Sequence, residues 1–249
     1  MGERRAIASG PADIDVAILA GGLGTRLSGA IGALPKVLAP VAGRPFLDIL
    51  LDRIARQGFR RVVLLLGYRA DAVAAHLTRQ ARRDLTIETV VEPSPLGTAG
   101  ALRAAMPHLH SDPVLVLNGD SFVAFDPLAL LDEYRRAKAP AALICVEVPD
   151  ASRYGALEID ANSYLLRFLE KRPGGGPGLI NAGVYLLGRG FLDTLARSDG
   201  ASFERDVLER QPAGRLLAVR TGGTFLDIGT PESLAQAPAL LGLSTPGSG

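Results

Sequence analysis

The stretch D-V-A-I-L-A-G-G-L-G-T-R-L, Asp15 to Leu27, decides the reading of the fold. Its first six residues, Asp15 to Ala20, form a short run rich in apolar residues, as a strand buried on both faces of a parallel sheet requires. Gly21, Gly22 and Gly24 then allow a tight turn and leave backbone N–H groups unobstructed, which is how a loop wraps a polyphosphate. Arg26 adds a forked cation for the same charge. The loop is not a P-loop, because G-x-x-x-x-G-K-[S/T] does not occur in the chain. It is a poor dinucleotide loop too, since Leu27 stands where a third glycine would be needed, counting from Gly22. A plain strand-to-helix turn stays open until its neighbours are read.

Outward from this loop, the apolar periodicity predicts a helix over Phe46 to Gln57, a strand over Arg61 to Leu66 and a helix over Ala70 to Arg82. A strand over Thr86 to Val91, a helix over Thr98 to Ala105 and a buried strand over Val114 to Leu117 continue the series. The alternation predicts an α/β fold, with a parallel sheet covered by helices. After Pro140 the pieces shorten to A-L-I-C-V-E-V, A-L-E-I-D and L-L-R-F-L, so this half is expected to be mostly antiparallel. Pro173 to Gly178 reads as a surface loop. The expected organisation is a loose extension over 1–13, one domain over 14–241 divided into halves 14–140 and 141–241, and a loose tail over 242–249. No internal repeat occurs.

Composition excludes several classes. The 249 residues are 47% hydrophobic and 21% charged, enough to bury a core. A formal charge of +1 leaves no basic stripe in the totals, so nucleic acid is not an expected partner. The one cysteine, Cys145, cannot close an intrachain disulfide, and His76, His108 and His110 lack zinc spacing. A reducing cytoplasm is the expected location. The polar N-terminus and the absence of eighteen consecutive apolar residues predict neither secretion nor a membrane partner.

Ten residues after Arg26, Pro35-Lys36 holds a lysine behind a proline, placed to return to phosphates gathered by the loop. Together, G-G-L-G-T-R-L and L-P-K resemble the nucleotidyltransferase family that makes nucleotide sugars from a nucleoside triphosphate and a sugar 1-phosphate. The resemblance runs from about Ile14 to Leu240, through E-P-S-P-L-G-T-A-G (Glu92 to Gly100), L-N-G-D-S (Leu117 to Ser121) and R-Y-G-A-L-E-I-D (Arg153 to Asp160). It continues through F-L-E-K-R (Phe168 to Arg172), L-I-N-A-G-V-Y (Leu179 to Tyr185) and F-L-D-I-G-T-P-E (Phe225 to Glu232). Many members carry Pro and Thr three and five residues after the arginine, where this chain has Gly29 and Ile31. That departure, with S-F-E-R-D-V at Ser202 to Val207, resembles the branch that joins GTP to D-glycero-α-D-manno-heptose 1-phosphate for cell-surface polysaccharide such as lipopolysaccharide or capsule. The alternatives are mannose 1-phosphate, a uridylyl or thymidylyl donor, or a silent nucleotide-sugar sensor.

The resemblance implies a Rossmann-like nucleotidyltransferase (GT-A-like) fold, a mixed, mainly parallel sheet flanked by helices with a smaller antiparallel sugar-binding part. It assigns nucleotide contacts to Ala20, Gly21, Gly22, Gly24, Thr25, Arg26, Asn118 and Gly119, and catalysis to Arg26, Lys36 and Asp120. Asp120 follows a buried strand, where open α/β sheets bind ligands. The resemblance folds Asp227 back beside it, and two hard carboxylates plus phosphate oxygens and waters suit Mg²⁺. Either aspartate alone reads more simply as a turn residue, and Thr230 as the cap of a helix beginning at Pro231. No nucleophilic triad is needed, because a sugar phosphate is already an ionised nucleophile.

By the same resemblance Glu92 reads the base. A carboxylate accepts from the two adjacent donors on the pairing edge of guanine, whereas a uracil or thymine edge, with its carbonyls, suits a glutamine better. Gly97 and Thr98 are expected to admit the base and begin a helix. Gly155, Glu170, Lys171, Asn181 and Gly183 are implied on the sugar side, with Glu170 accepting from hydroxyls and Lys171 meeting the sugar's phosphate. The sequence leaves oligomeric state open, a homo-oligomer included.

Overall fold

The computed structural model describes residues 8–22, 24–80, 82–169 and 176–244. In chain order the strands are β1 (Asp15–Leu19), β2 (Pro40–Val41), β3 (Arg44–Pro45), β4 (Arg61–Leu66), β5 (Thr86–Val91), β6 (Val114–Asn118) and β7 (Ser121–Val123). They continue as β8 (Ala141–Val148), β9 (Leu157–Ile159), β10 (Leu165–Phe168), β11 (Gly178–Leu187), β12 (Leu217–Thr221) and β13 (Phe225–Asp227). The α-helices are α1 (Ser28–Ile31), α2 (Phe46–Arg56), α3 (Ala70–Arg79), α4 (Gly97–Ala105), α5 (Pro127–Ala137), α6 (Arg189–Ala196) and α7 (Pro231–Leu240). A π-helical segment, Phe203–Leu208, lies between α6 and β12.

Among the described residues, seven strands form one sheet in the order β12-β8-β11-β6-β1-β4-β5. The pairs β6/β1, β1/β4, β4/β5 and β12/β8 are parallel, and β11 runs against both of its neighbours. The central sheet is therefore mixed and mainly parallel, as expected. The second half differs in one respect: β8, β11 and β12 join the main sheet, with only β11 reversed, while the separate antiparallel pieces among the described residues are β9/β10, β7/β13 and, in the first half, β2/β3.

Strand alternation divides the core. Val16, Ile18, Val62, Leu64, Leu115 and Leu117 face one side, packed with Leu47, Leu51 and Ile54 of α2 and Leu130 and Leu131 of α5. Ala17, Val63, Leu65, Val114 and Val116 face the other, packed with Leu102 of α4, Phe191 and Leu195 of α6, and Phe203 and Val207 of the π segment. β5 is the sheet's edge and only half-buried, in keeping with the Thr and Glu residues that interrupt its apolar run. Asp126 caps α5 by accepting from Leu128 N and Ala129 N, and Thr230 caps α7 as expected, with Pro at the first turn of both.

A third cluster positions the chemistry. Leu27 and Ile31, after the glycine loop, pack with Phe46, Leu50, Leu226 and Ile228, so the loop and the strand carrying Asp227 share one apolar footing. Among the described residues no helix is long and apolar enough to cross a membrane.

Candidate functional site

After β1 the chain moves outward to β4 and β5, then returns to the other side of β1 as β6, so strand order reverses between β1 and β6. Open α/β sheets bind ligands in the crevice beyond such a switch point. Leu19 pairs with Asn118 at these carboxyl ends, and Gly119 N extends the ladder by donating to Leu19 O at 2.9 Å. A Cβ at Gly119 would lie 2.6 Å from that same carbonyl, which explains the glycine between Asn118 and Asp120.

Two cavities open here. One of about 390 Å³ is lined by Leu19, Ala20, Gly21, Gly22, Val37, Glu92, Pro95, Gly97, Thr98 and Phe203. The other, of about 560 Å³, is lined by Arg26, Arg153, Gly155, Asn181, Gly183, Arg205 and Asp227. Lys36, Asn118, Asp120, Ser202 and Glu204 line both. The apolar walls of the first suit a flat base, and the polar walls of the second suit a hydroxylated ligand.

At the junction, Lys36 Nζ donates to Asp120 Oδ2 at 2.6 Å and lies 3.9 Å from Asp227 Oδ1. The two aspartates meet because β13 pairs antiparallel with β7, setting Asp227 opposite Ser121, while Ile228 N donates to Asp120 O. Asp227 Oδ1 accepts from Gly229 N at 2.7 Å, and its Oδ2 lies 3.3 Å from Arg153 Nη2. One ammonium thus sits within reach of both carboxylates, a spacing at which they can share a cation. No group of three His, Cys, Asp or Glu converges among the described residues, so Mg²⁺ here would take its remaining oxygens from ligand phosphate and water.

The three glycines of the loop meet three different surroundings. Gly21 is forced by Glu92, whose Oε1 would lie 2.7 Å from a Cβ at that position. A Cβ at Gly67, the residue after β4, would collide with the same carboxylate oxygen and with the carbonyl of Gly21. Gly22 faces open space, and Gly24 adopts a left-handed φ of 61° against Lys36. Arg26 is exposed, makes no ion pair among the described residues, and faces the larger cavity, apart from the wall formed by Gly21 and Gly22. Glu92 Oε2 accepts from Leu96 N at 2.9 Å, holding the 92–96 loop while the carboxylate lines the first cavity.

Gly97, at φ 72°, begins α4 one residue earlier than expected and packs on the carbonyl of Ala201. Thr98 Oγ1 accepts from Phe203 N at 2.8 Å, so both residues dock the π segment onto α4 as well as lining the cavity. Asn181 is turned inward: Nδ2 donates to Tyr185 Oη at 2.8 Å and to Glu204 Oε1 at 3.3 Å, while Oδ1 accepts from Gly183 N. The β11/β8 register shifts between Asn181 and Tyr185, and Gly183 takes a φ of 74° at that irregularity. Tyr185, fully buried, donates to Glu204 Oε1 at 2.9 Å. Burial, reinforced by the Glu204 charge, pushes its phenol well above the usual range, so it remains a donor.

Gly155, at φ 77°, lies in the second cavity wall. Gly24 and Thr25 line neither cavity, and Glu170 and Lys171 lie outside the described residues. Sequence reasoning missed Gly67, Arg153, Tyr185 and Glu204. Gly67 follows β4 as Gly21 follows β1, a parallel that could have marked it; Arg153, Tyr185 and Glu204 lie within quoted motifs but carried no assignment.

The family's sequence profile, described as nucleotidyl transferase, matches residues 16–242. This chain belongs to the nucleotidyl transferase family. It is 31% identical to a D-glycero-alpha-D-manno-heptose 1-phosphate guanylyltransferase of Campylobacter jejuni over 86% of this chain and 94% of the relative. It is 33% identical to a mannose-1-phosphate guanylyltransferase of Mycobacterium tuberculosis over 91% of this chain, spanning 64% of that relative's length. The crystal structure of HddC from Yersinia pseudotuberculosis complexed with GMP-PN superposes with a TM-score of 0.81 at 32% identity, covering 92% of this chain and 99% of that one.

Proposed function

We propose that this member of the nucleotidyl transferase family joins GTP to D-glycero-α-D-manno-heptose 1-phosphate, releasing pyrophosphate and GDP-heptose for cell-surface polysaccharide in the cytoplasm. The observation that carries the reading is the junction of two cavities at Lys36 and Asp120, one with apolar walls beside Glu92 and one with polar walls. The name of the Campylobacter relative points to the same donor and sugar, and the GMP-PN bound in the HddC complex to the same base.

Both substrates are anions, so the task is to bring them together and spread their charge. The triphosphate lies along Gly21, Gly22 and Lys36, with guanine over the apolar wall and its two donors on Glu92. The sugar 1-phosphate enters from the second cavity, past Arg26 and Arg153. Its phosphate oxygen attacks the α-phosphorus in line; the bond from that phosphorus to the bridging oxygen breaks, and pyrophosphate leaves with the electron pair. Lys36 and Arg26 neutralise charge developing on the transferring and leaving groups, by position and field without proton transfer. Asp120 and Asp227 would hold Mg²⁺, which supplies the same neutralisation at the α-phosphoryl oxygens when bound.

Pyrophosphate release, measured across a panel of nucleoside triphosphates and sugar 1-phosphates with Mg²⁺, tests this directly. GTP with the heptose phosphate is expected to be the best pair, and silence with every pair would refute an enzyme. Glu92→Gln is expected to shift preference from GTP toward UTP and dTTP; an unmoved preference would refute base reading by Glu92. Mannose 1-phosphate is the second reading, favoured by the 33% identity to the Mycobacterium enzyme.

A further inference from the structure

Glu204 occupies a place that the reaction above leaves unused. It lies in the S-F-E-R-D-V string and is exposed to solvent, yet it is held more firmly than exposed glutamates usually are. Its Oε1 accepts from Tyr185 Oη at 2.9 Å and from Asn181 Nδ2 at 3.3 Å. Among the described residues its Oε2 accepts nothing.

The backbone beneath it is equally fixed. Phe203 is fully buried, edge-on to Tyr185 at 5.1 Å and to Phe191 at 6.3 Å, and its N–H is anchored on Thr98. Ser202 and Asp206 close the start of the segment, Ser202 Oγ accepting from Arg205 N and Asp206 Oδ2 from Ser202 N at 2.8 Å. A π-helical turn between such anchors is a costly local geometry that proteins tend to keep at functional sites. A carboxylate with one oxygen tied back and the other free is preorganised to accept from a ligand.

Its location limits the donor. Glu204 is one of the five residues that line both cavities, beside Lys36 and Asp120, where the two phosphates meet. On a sugar 1-phosphate, the hydroxyl nearest that point is the one on carbon 2, adjacent to the anomeric carbon. This hydroxyl is axial in manno sugars, mannose and the manno-heptose alike, and equatorial in gluco sugars.

We infer that Glu204 is a specificity-determining residue that accepts a hydrogen bond from the axial 2-hydroxyl of a manno-configured sugar 1-phosphate, with Tyr185 and Asn181 as positioning residues. This inference rests on the reading under Proposed function. It also gives Asn181 a task consistent with its inward amide, which has both donors committed to Tyr185 and Glu204.

The test is a cycle crossing Glu204→Gln with removal of the hydroxyl. kcat/KM is measured for wild type and variant with GTP and either mannose 1-phosphate or its 2-deoxy analogue. Glu204→Gln is expected to lower kcat/KM for mannose 1-phosphate by about 10- to 100-fold, the scale of one hydrogen bond to a charged group, and to change the 2-deoxy analogue by less than about twofold. Wild type is expected to favour mannose over glucose 1-phosphate, and the variant to lose most of that preference. Tyr185→Phe is expected to raise KM for mannose 1-phosphate about threefold or more with kcat little changed, the pattern of weakened uniform binding.

Equal losses on both sugars would assign Glu204 a structural role and overturn the inference. So would a loss that disappears when 2′-deoxy- or 3′-deoxy-GTP replaces GTP, because Glu204 would then read the ribose. Wild-type turnover with undiminished 2-hydroxyl discrimination in the variant overturns this inference alone. No turnover by wild type with any pair overturns the underlying reaction and this inference with it.

Discussion

Lys36 and Asp120, 84 residues apart in sequence, are joined by a 2.6 Å ion pair, and the same ammonium lies 3.9 Å from Asp227. The lysine side chain is only 14% exposed, so its charge works in a medium less screened than open water. Its neighbours are the two carboxylates proposed for the metal, which fixes where cation, metal and phosphate must converge.

Lys36→Met keeps the length of the stem and removes the charge. Its rate of pyrophosphate release is expected to fall by about a hundredfold or more, the scale for one preorganised charge contact, with the circular dichroism spectrum retained. A loss below about fivefold would remove Lys36 from the reacting centre.

Asp227→Asn keeps an oxygen able to accept from Gly229 N, so the turn that begins α7 survives. The Mg²⁺ concentration giving half-maximal rate is expected to rise by about tenfold or more, the effect of disturbing even outer-sphere partners of a metal. An unchanged Mg²⁺ titration would exclude Asp227 from the metal site.

Gly67→Ala and Gly22→Ala separate two uses of glycine. A methyl at Gly67 collides with the Glu92 carboxylate and the Gly21 carbonyl, so this variant is expected to lose about 1–3 kcal/mol in chemical denaturation and to bind GTP more weakly. A methyl at Gly22 meets nothing within 4 Å, and that variant is expected to unfold at an unchanged denaturant midpoint. Calorimetric titration with GTP then reports whether Gly22 also serves the phosphates.

Cys145 is fully buried, and burial pushes its thiol from an ordinary value of 9.0 up to about 12. The thiolate is the reactive form, so the folded protein is expected to resist alkylation at pH 8 and to titrate one thiol only after unfolding. Because the folded-state pKa is the higher one, the stabilisation is complete below about pH 9 and declines as pH rises toward 12. Cys145→Ala is expected to flatten that part of the alkaline stability curve; rapid labelling of native protein would contradict the burial.

Much of the scaffold was readable from local pattern. The runs D-V-A-I-L and V-L-V-L, the helical face of Phe46 to Arg56 and the glycine loop gave the strands, the helix and the turn after β1, because each signal lies within a few neighbouring residues. Lys36, Asp120, Asp227 and Glu92 were legible as candidates through motifs, and the structure brings all four to the two adjoining cavities.

What tertiary structure alone decided is which of these groups face one another. β7 and β13 are three residues each, and their pairing, which carries Asp227 to Asp120, leaves no periodicity to read. Glu204 lies in a motif that the sequence singled out, but its orientation depends on Tyr185 and Asn181 across a strand irregularity in β11. Gly21 was readable as a glycine that a loop requires, but its neighbour is the carboxylate of Glu92. Secondary structure is selected by interactions within a few residues, whereas a site is selected by contacts between distant segments, and those exist only once the sheet and its covering helices have packed.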